Sequence, residues 1–189
     1  MTEGRAEPIE FPVEGLTDGS IRIRLRAESD AQAMIAALQD PEIPRWTRVP
    51  EPYDESTAAE WAVESRRQQE SGEGLHLIIA DAETDRLMGS IGIRDIDRAE
   101  GRCNIGYYLA REARGRGLMT RAVRMLGRWA FECVPVERIE IPVIAENTAS
   151  RRVAERAGYT FEGILRSHSV IKGRRRDIAM YSLLRGELH

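Results

Sequence analysis

The 189-residue chain is 42% apolar and 31% charged, with a net charge of −3 and a pI near 5.8. This balance fits one domain with a full core. It excludes general nucleic-acid binding, and no apolar run approaches the roughly 20 residues of a membrane span. An acidic start without an apolar stretch, and cysteine limited to Cys103 and Cys133, point to a reducing cytoplasm with neither a disulfide framework nor a metal site. Charge is unevenly spread. Residues 101–189 hold 17 Arg/Lys and 9 Asp/Glu, a net of +8, which leaves 11 and 22, a net of −11, for residues 1–100. The C-terminal half is thus expected to handle a polyanion and the N-terminal half to meet a cation.

Residues 1–19 read as a loose arm, with turn residues Gly15, Asp18 and Gly19. The alternation in residues 21–26 predicts a half-buried strand. Asp30 is placed to cap a helix, stopped by Pro41 and Pro44, and a loop with large side chains follows at Trp46, Val49, Pro50 and Tyr53. Residues 56–70 carry a helical pattern opened by Asp54 or Ser56, with Trp61 at core spacing. Three strands separated by short turns, 75–81, 86–96 and 102–110, predict an antiparallel meander. From Leu118 the period changes to 3.6, with Leu118, Ala122, Leu126 and Trp129 on one stripe. A strand at 138–145 follows. Asn147 then caps a helix that Gly158 ends, and strands at 159–172 and 176–185 close the chain. Arg174, Arg175 and Arg176 fall in a predicted hairpin turn after Gly173 and read as a solvated turn.

The segment 104–123 carries the chemistry. It runs strand, basic glycine loop, helix, with the loop reading Arg114, Gly115, Arg116, Gly117 and then Leu118, Met119, Thr120. A loop feeding a helix N-terminus exposes unpaired amides, and the helix dipole adds positive potential, so the pair suits a diphosphate. Glycines at 115 and 117 remove the Cβ atoms that would keep a phosphate from the backbone. No Gly-Lys-Ser/Thr follows, and the glycine spacing is wrong for a dinucleotide fingerprint. Pro142 stands inside an otherwise good strand, a position tolerated at an edge or where two strands part.

With residues 146–163 (ENTASRRVAERAGYTFEG), the order becomes strand, Arg-x-x-Gly-x-(Gly/Ala) loop, long helix, strand, Asn-x-x-Ser helix, Gly-aromatic strand. In this the chain resembles the GNAT superfamily of acyl-CoA N-acyltransferases over about residues 20–185. Within it the chain is similar to the RimJ/RimL-type branch of ribosomal-protein N-terminal acetyltransferases and their relatives. The resemblance implies a mixed α/β (α+β) fold over 20–186, with a central, mostly antiparallel, splayed sheet of about seven strands flanked by helices. Met119 departs from the pattern at a position where glycine or alanine is usual.

The resemblance further implies acetyl transfer from acetyl-CoA, or a longer acyl-CoA such as succinyl-CoA, to a peptide α-amine or a small-molecule amine, without metal. A non-catalytic acyl-CoA-binding module is the alternative. Coenzyme contacts are expected from the backbone of Tyr107, Tyr108 and Leu109, from Arg114, Gly115, Arg116, Gly117, Leu118, Met119 and Thr120, and from Asn147 and Ser150. Ser150 resembles the serine that returns a proton to the thiolate. For the general base the candidates are Glu162, His168, Asp177 and His76. Where some relatives carry a catalytic Glu, this chain has His168 and Ser169. Trp46 and Tyr53 are the expected acceptor-site residues. A homodimer is compatible with the resemblance, and nucleic acid and membrane are not expected partners.

Overall fold

A computed structural model describes residues 7–187 of the chain. In chain order the elements are β1 (Leu16–Thr17), β2 (Ile21–Leu25), α1 (Asp30–Leu38), α2 (Glu42–Trp46), α3 (Glu55–Glu70), β3 (Leu75–Asp81), β4 (Leu87–Asp97) and β5 (Arg102–Leu109). They continue with α4 (Leu118–Cys133), β6 (Arg138–Ile144), α5 (Thr148–Ala157), β7 (Thr160–Ile171) and β8 (Arg174–Leu184). The strands form one sheet in the order β1-β2-β3-β4-β5-β6-β8-β7. Every neighbouring pair is antiparallel except β5 and β6, which are parallel and joined through α4. The strand beyond the expected seven is the two-residue β1, too short to carry a period.

The alternation of side chains along each strand divides the core between the two sheet faces. On one face Ile21, Ile23, Leu77, Ile79, Ile91, Ile93, Cys103 and Ile105 pack against Leu118, Ala122, Leu126 and Trp129 of α4 and Ala154 of α5. On the other, Ile78 and Ala80 pack against Met34, Leu38, Ile43, Tyr53 and Ala58 from the α1–α3 segment. Among the described residues no helix is long and apolar enough to cross a membrane.

Three expectations change. The described part of the arm is not loose. Ile9 and Phe11 are buried, Phe11 meets the Trp129 ring edge-on at 4.8 Å, and the Ile9 amide donates to Gln69 O. Asp30 lies inside α1 and not at its cap, which is Ser29. Its carboxylate instead accepts two bonds from Arg24 and one from the Ala27 amide, each at 2.8 Å. The loop expected around Trp46 contains α2, with Pro41 as its cap and Pro44 as its third residue. Proline is tolerated there because the first-turn amides of a helix have no intrahelical partner.

Candidate active site

The sheet parts between β5 and β6. Their pairing stops at Asn104↔Glu140, although β5 continues to Leu109 and β6 to Ile144. The direction of the backbone groups in the gap follows from bonds at the strand ends. The Ala110 amide donates to Met88 O of β4, so by alternation the N–H and C=O groups of Tyr107 and Leu109 point into the gap. On β6, the Ala145 amide donates to Asp177 O, and Glu137 O accepts from Arg185. Odd-numbered residues of β6 therefore face β8, and Pro142 faces the gap. Its missing N–H leaves no donor stranded there.

A cavity of about 1200 Å³ runs through this gap and opens on both faces of the sheet. At one end lies the loop before α4. Gly115 and Gly117 have φ of 76° and 74°, in the left-handed region that glycine enters without strain, and Gly117 caps the helix. No backbone amide from Gly115 to Thr120 finds an acceptor among the described residues; the first α4 bond runs from Arg121 N to Gly117 O. Six amides thus remain free at the positive end of a 16-residue helix. Such an arrangement suits an anion such as a diphosphate.

Residues 21–160 match the family model described as acetyltransferase (GNAT) domain. The chain belongs to the GNAT family of acetyltransferases. It is 31% identical to "Uncharacterized N-acetyltransferase p20" of Bacillus licheniformis over 175 residues, 93% of this chain and 98% of that protein. Among solved structures it is similar to Mycobacterium smegmatis RimJ in complex with CoA-disulfide (TM-score 0.81, 25% identity, 89% of this chain and 83% of that one). It also shares the fold of the microcin C7 self-immunity acetyltransferase MccE, crystallised with acetyl-CoA and AMP (TM-score 0.82, 23% identity, 92% of this chain and 98% of that one). The protein is an acetyl-CoA-dependent N-acetyltransferase of the RimJ/RimL-like type, and its acceptor is an amine.

Within this acetyltransferase the expected coenzyme residues divide by what their side chains do. Leu118 and Met119 are buried in the core, so only their amides face the anion site. Methionine at 119 therefore costs the loop nothing. Arg116 is exposed and does not line the cavity. Arg114 turns back: its guanidinium donates to Leu109 O at 2.9 and 3.1 Å and pairs with Asp40 at 2.8 Å. It braces the loop against the end of β5 and does not point a free charge at the anion. Asn147 caps α5, accepting the Ser150 amide at 3.1 Å, and its amide nitrogen stays free beside the gap.

The sequence reading missed one contact. Ser150 Oγ lies 3.0 Å from Tyr107 Oη, and the phenol also reaches Ser150 O at 3.3 Å. Burial pushes the Tyr107 phenol well above its usual value near 10, so it stays protonated. Tyr107 on β5 and Ser150 one turn into α5 are thus a hydroxyl pair on the coenzyme side of the gap. The visible signal was strand parity, which places Tyr107 on the α4/α5 face.

The base candidates separate clearly. Glu162 is ion-paired with Arg138 at 2.5 Å and accepts from Ser182 at 2.7 Å. The Arg138 bonds, with the Ser182 hydroxyl second, hold its carboxyl down at about 2, too acidic to take a proton from an amine. Asp177 accepts the Ser167 amide at 2.7 Å, bracing an irregular stretch of β7, and does not line the cavity. His76 and His168 both line it. His76 Nε2 sits 2.9 Å from Gln68 Oε1, and burial, with Arg94 second, lowers its pKa below the usual 6.5. It is therefore neutral, as a base must be. His168 is exposed, with Nδ1 3.2 Å from Ser169 Oγ.

Of the two residues expected at an acceptor site, Trp46 lines the cavity, its indole nitrogen donating to Glu42 at 3.1 Å. Tyr53 does not. It is 4% exposed and packs edge-on to Trp61 at 6.4 Å, inside the second core cluster. A large aromatic with α1 and α3 on either side gains more from burial there than at a rim. Trp61, read as core, lines the cavity with one edge. Tyr108 lines the chamber opposite Ser90, pointing away from its neighbour Tyr107. Among the described residues no three His, Cys, Asp or Glu side chains gather as metal ligands.

Proposed function

We propose that the cavity transfers acetyl directly from acetyl-CoA to a primary amine in a ternary complex. The parting of β5 from β6, with free amides at one end and an open chamber at the other, carries this reading. The amides of residues 115–120 take the diphosphate. The pantetheine arm lies along β5 as a further strand would, bonding the gap-facing groups of Tyr107 and Leu109 while Asn147 holds its other edge. One of those two N–H groups also receives the carbonyl oxygen as it becomes an oxyanion.

The amine enters from the α1–α3 face and attacks the thioester carbon. The tetrahedral adduct collapses with cleavage of the C–S bond, and the thiolate takes the Ser150 hydroxyl proton; Tyr107 passes its own proton on to Ser150 and is reprotonated by water in the cavity, so both hydroxyls end as they began. The amine's own proton leaves through water to His76 or His168. One strand, β4, lies between His76 and Gly106, two spacings of about 4.8 Å each, so water must bridge that path. The acceptor is a peptide N-terminus or a small molecule.

Thiol release from acetyl-, propionyl- and succinyl-CoA, measured against a panel of amines, tests the reading. We expect acetyl-CoA to be turned over with at least one amine. Thermal stabilisation by coenzyme A with no turnover on any amine refutes catalysis and leaves only a binding module.

A further inference from the structure

The acceptor chamber has an unusual floor. His76 of β3, Gly92 and Arg94 of β4, and Gly106 of β5 share the sheet face below Trp46 and Trp61, and all line the cavity. The guanidinium of Arg94 lies flat over Gly106. A Cβ on residue 106 would come 3.0 Å from Cζ of Arg94 and 3.2 Å from its Nε and Nη2. Glycine at 106 therefore keeps room for a cation beside the segment of β5 where transfer takes place.

The protein does not neutralise that cation. Arg94 makes no hydrogen bond among the described residues, and its Nε is buried without a partner. The nearest carboxylate oxygen, on exposed Asp95, is 3.9 Å away and already accepts from Asn104 at 2.8 Å. A second guanidinium, Arg48, lines the same chamber and donates only to Val170 O. Burial disfavours the charged form of Arg94; the charge of Asp95 opposes this without cancelling it, and Arg48 adds to the burial effect. The other cavity arginines of the sheet and loop differ: Arg138 pairs with Glu140 at 2.7 Å, Arg114 with Asp40 at 2.8 Å and Arg102 with Asp97 at 3.5 Å. Of the acidic groups at the chamber, Glu42 is already held by Arg45 and Trp46.

We propose that the acceptor is a small amine carrying its own anionic group, a carboxylate or a phosphate, and that Arg94, with Arg48 behind it, docks that group. A guanidinium offers a planar fork matched to either anion. An anion over Gly106 lies about 3–10 Å along β5 from the Tyr107–Leu109 segment, at roughly 3.3 Å per residue. That spacing suits an amine and an anion a few bonds apart, as in an amino acid or an aminoalkyl phosphate. The acidic N-terminal half suggested a cationic acceptor, but residues 1–100 line the chamber with Arg48 and Arg94 as well as Glu42 and Asp95, and both carboxylates already accept bonds from the protein. The inference rests on the acyl-transfer reading above.

The test is thiol release with matched acceptors: β-alanine against β-alaninamide, 2-aminoethyl phosphate against ethanolamine, with spermidine and a serine-initiated tetrapeptide as further arms. We expect the anionic member of at least one pair to exceed its neutral partner by about ten-fold or more in kcat/KM, and the winning pair to tell carboxylate from phosphate. Arg94→Ala should erase that preference through KM, bringing the two members of the winning pair to equal kcat/KM within the variant, and Arg94→Lys should keep part of it. An unaltered coenzyme A-induced thermal shift in both variants certifies their fold. Equal rates within both pairs, a faster spermidine or tetrapeptide, or a preference for the anionic member that survives Arg94→Ala would overturn the proposal. Turnover without charge preference defeats this inference alone, whereas absence of turnover with every amine defeats the acyl-transfer reading and this inference with it.

Discussion

A carboxylate placed at Thr120 should strengthen the free protein and weaken its grip on coenzyme A. Thr120 is the third residue of α4, half-buried at the cavity wall, in the first helical turn. Glutamate there meets the positive end of the helix dipole and can reach back to the Gly117 amide, adding about 0.3–1 kcal/mol to the unliganded state. The same charge opposes a bound diphosphate. For one unit charge at about 5 Å and an effective dielectric constant of about 20, the repulsion is about 3 kcal/mol, roughly a two-hundred-fold loss of affinity. At a coenzyme concentration of about 100 Kd the wild-type protein gains about 2.7 kcal/mol, which for a chain of this size raises Tm by about 5–11 °C. At that concentration Thr120→Glu should gain only about 0.2 kcal/mol and shift by less than about 1 °C. Thr120→Gln separates charge from bulk and should keep most of the shift. Differential scanning fluorimetry with and without coenzyme A reads both effects. A full shift in the Glu variant would show that the diphosphate is not at this helix end. Equal loss in the Gln variant would show that size, not charge, had acted. A lower Tm of the unliganded Glu variant would show that the amides are not free.

Two further perturbations follow. Tyr107→Phe and Ser150→Ala should each lower kcat about 10–100-fold while the coenzyme A thermal shift persists, and the double variant should lose little more than the worse single one, since the hydroxyls act as one relay. Additive losses in single-turnover thiol release would refute the relay. Asp30→Ala removes two of the three carboxylate bonds to the Arg24 guanidinium, whose side chain is only 15% exposed, leaving it exposed Asp85 and Leu25 O, and should cost about 1–3 kcal/mol, or roughly 2–12 °C in Tm. Burial alone would raise the Asp30 pKa, but the bonds from Arg24 and Ala27 outweigh it and bring it below 3.8. A carboxyl lowered on folding adds stability above its unfolded pKa and loses it as pH falls through the folded one. Urea midpoints taken below about pH 4 should therefore drop more steeply for wild type than for Asp30→Asn.

The sequence made the coenzyme side legible and the acceptor side opaque, for a physical reason. The coenzyme site proposed above uses backbone amides at a helix start, and backbone geometry leaves its mark in residue type. Gly115 and Gly117 take left-handed φ, Asn147 caps, and Pro142 cannot donate. Each of these can be recognised from its neighbours in the chain. The acceptor chamber is made of side chains from β3, β4, β5, α2 and α3 that meet only in the folded state. Nothing local marks Arg94 as uncompensated, because Asp95 beside it suggests an ion pair that the fold stretches to 3.9 Å. Glu162 misled in the opposite way. It stood at a plausible distance after the Asn-x-x-Ser helix, but β6 brings Arg138 against it and spends its charge. Tyr53 misled because an aromatic in a proline-bounded segment reads as a rim residue until α1 and α3 are seen to bury it.

The division of labour in the site reduces to the two-residue period of one strand. Tyr107 and Tyr108 are neighbours in sequence and nearly identical in chemistry, yet they project to opposite faces of β5. Tyr107 joins the α4/α5 side and hands its hydroxyl to Ser150, while Tyr108 joins the α1–α3 side and walls the acceptor chamber. The same parity sends the backbone groups of Tyr107 into the gap and those of Tyr108 to β4. Because β5 is bonded to β4 along its length but to β6 only as far as Asn104, its register is fixed from one side while the other stays open for a ligand. Acyl donor and amine can therefore meet at a single carbonyl from opposite faces of the sheet, each held by side chains the other never touches. A one-residue slip of β5 would exchange the two tyrosines, turn Tyr107's gap-facing amide toward β4, and dismantle both halves of the site at once.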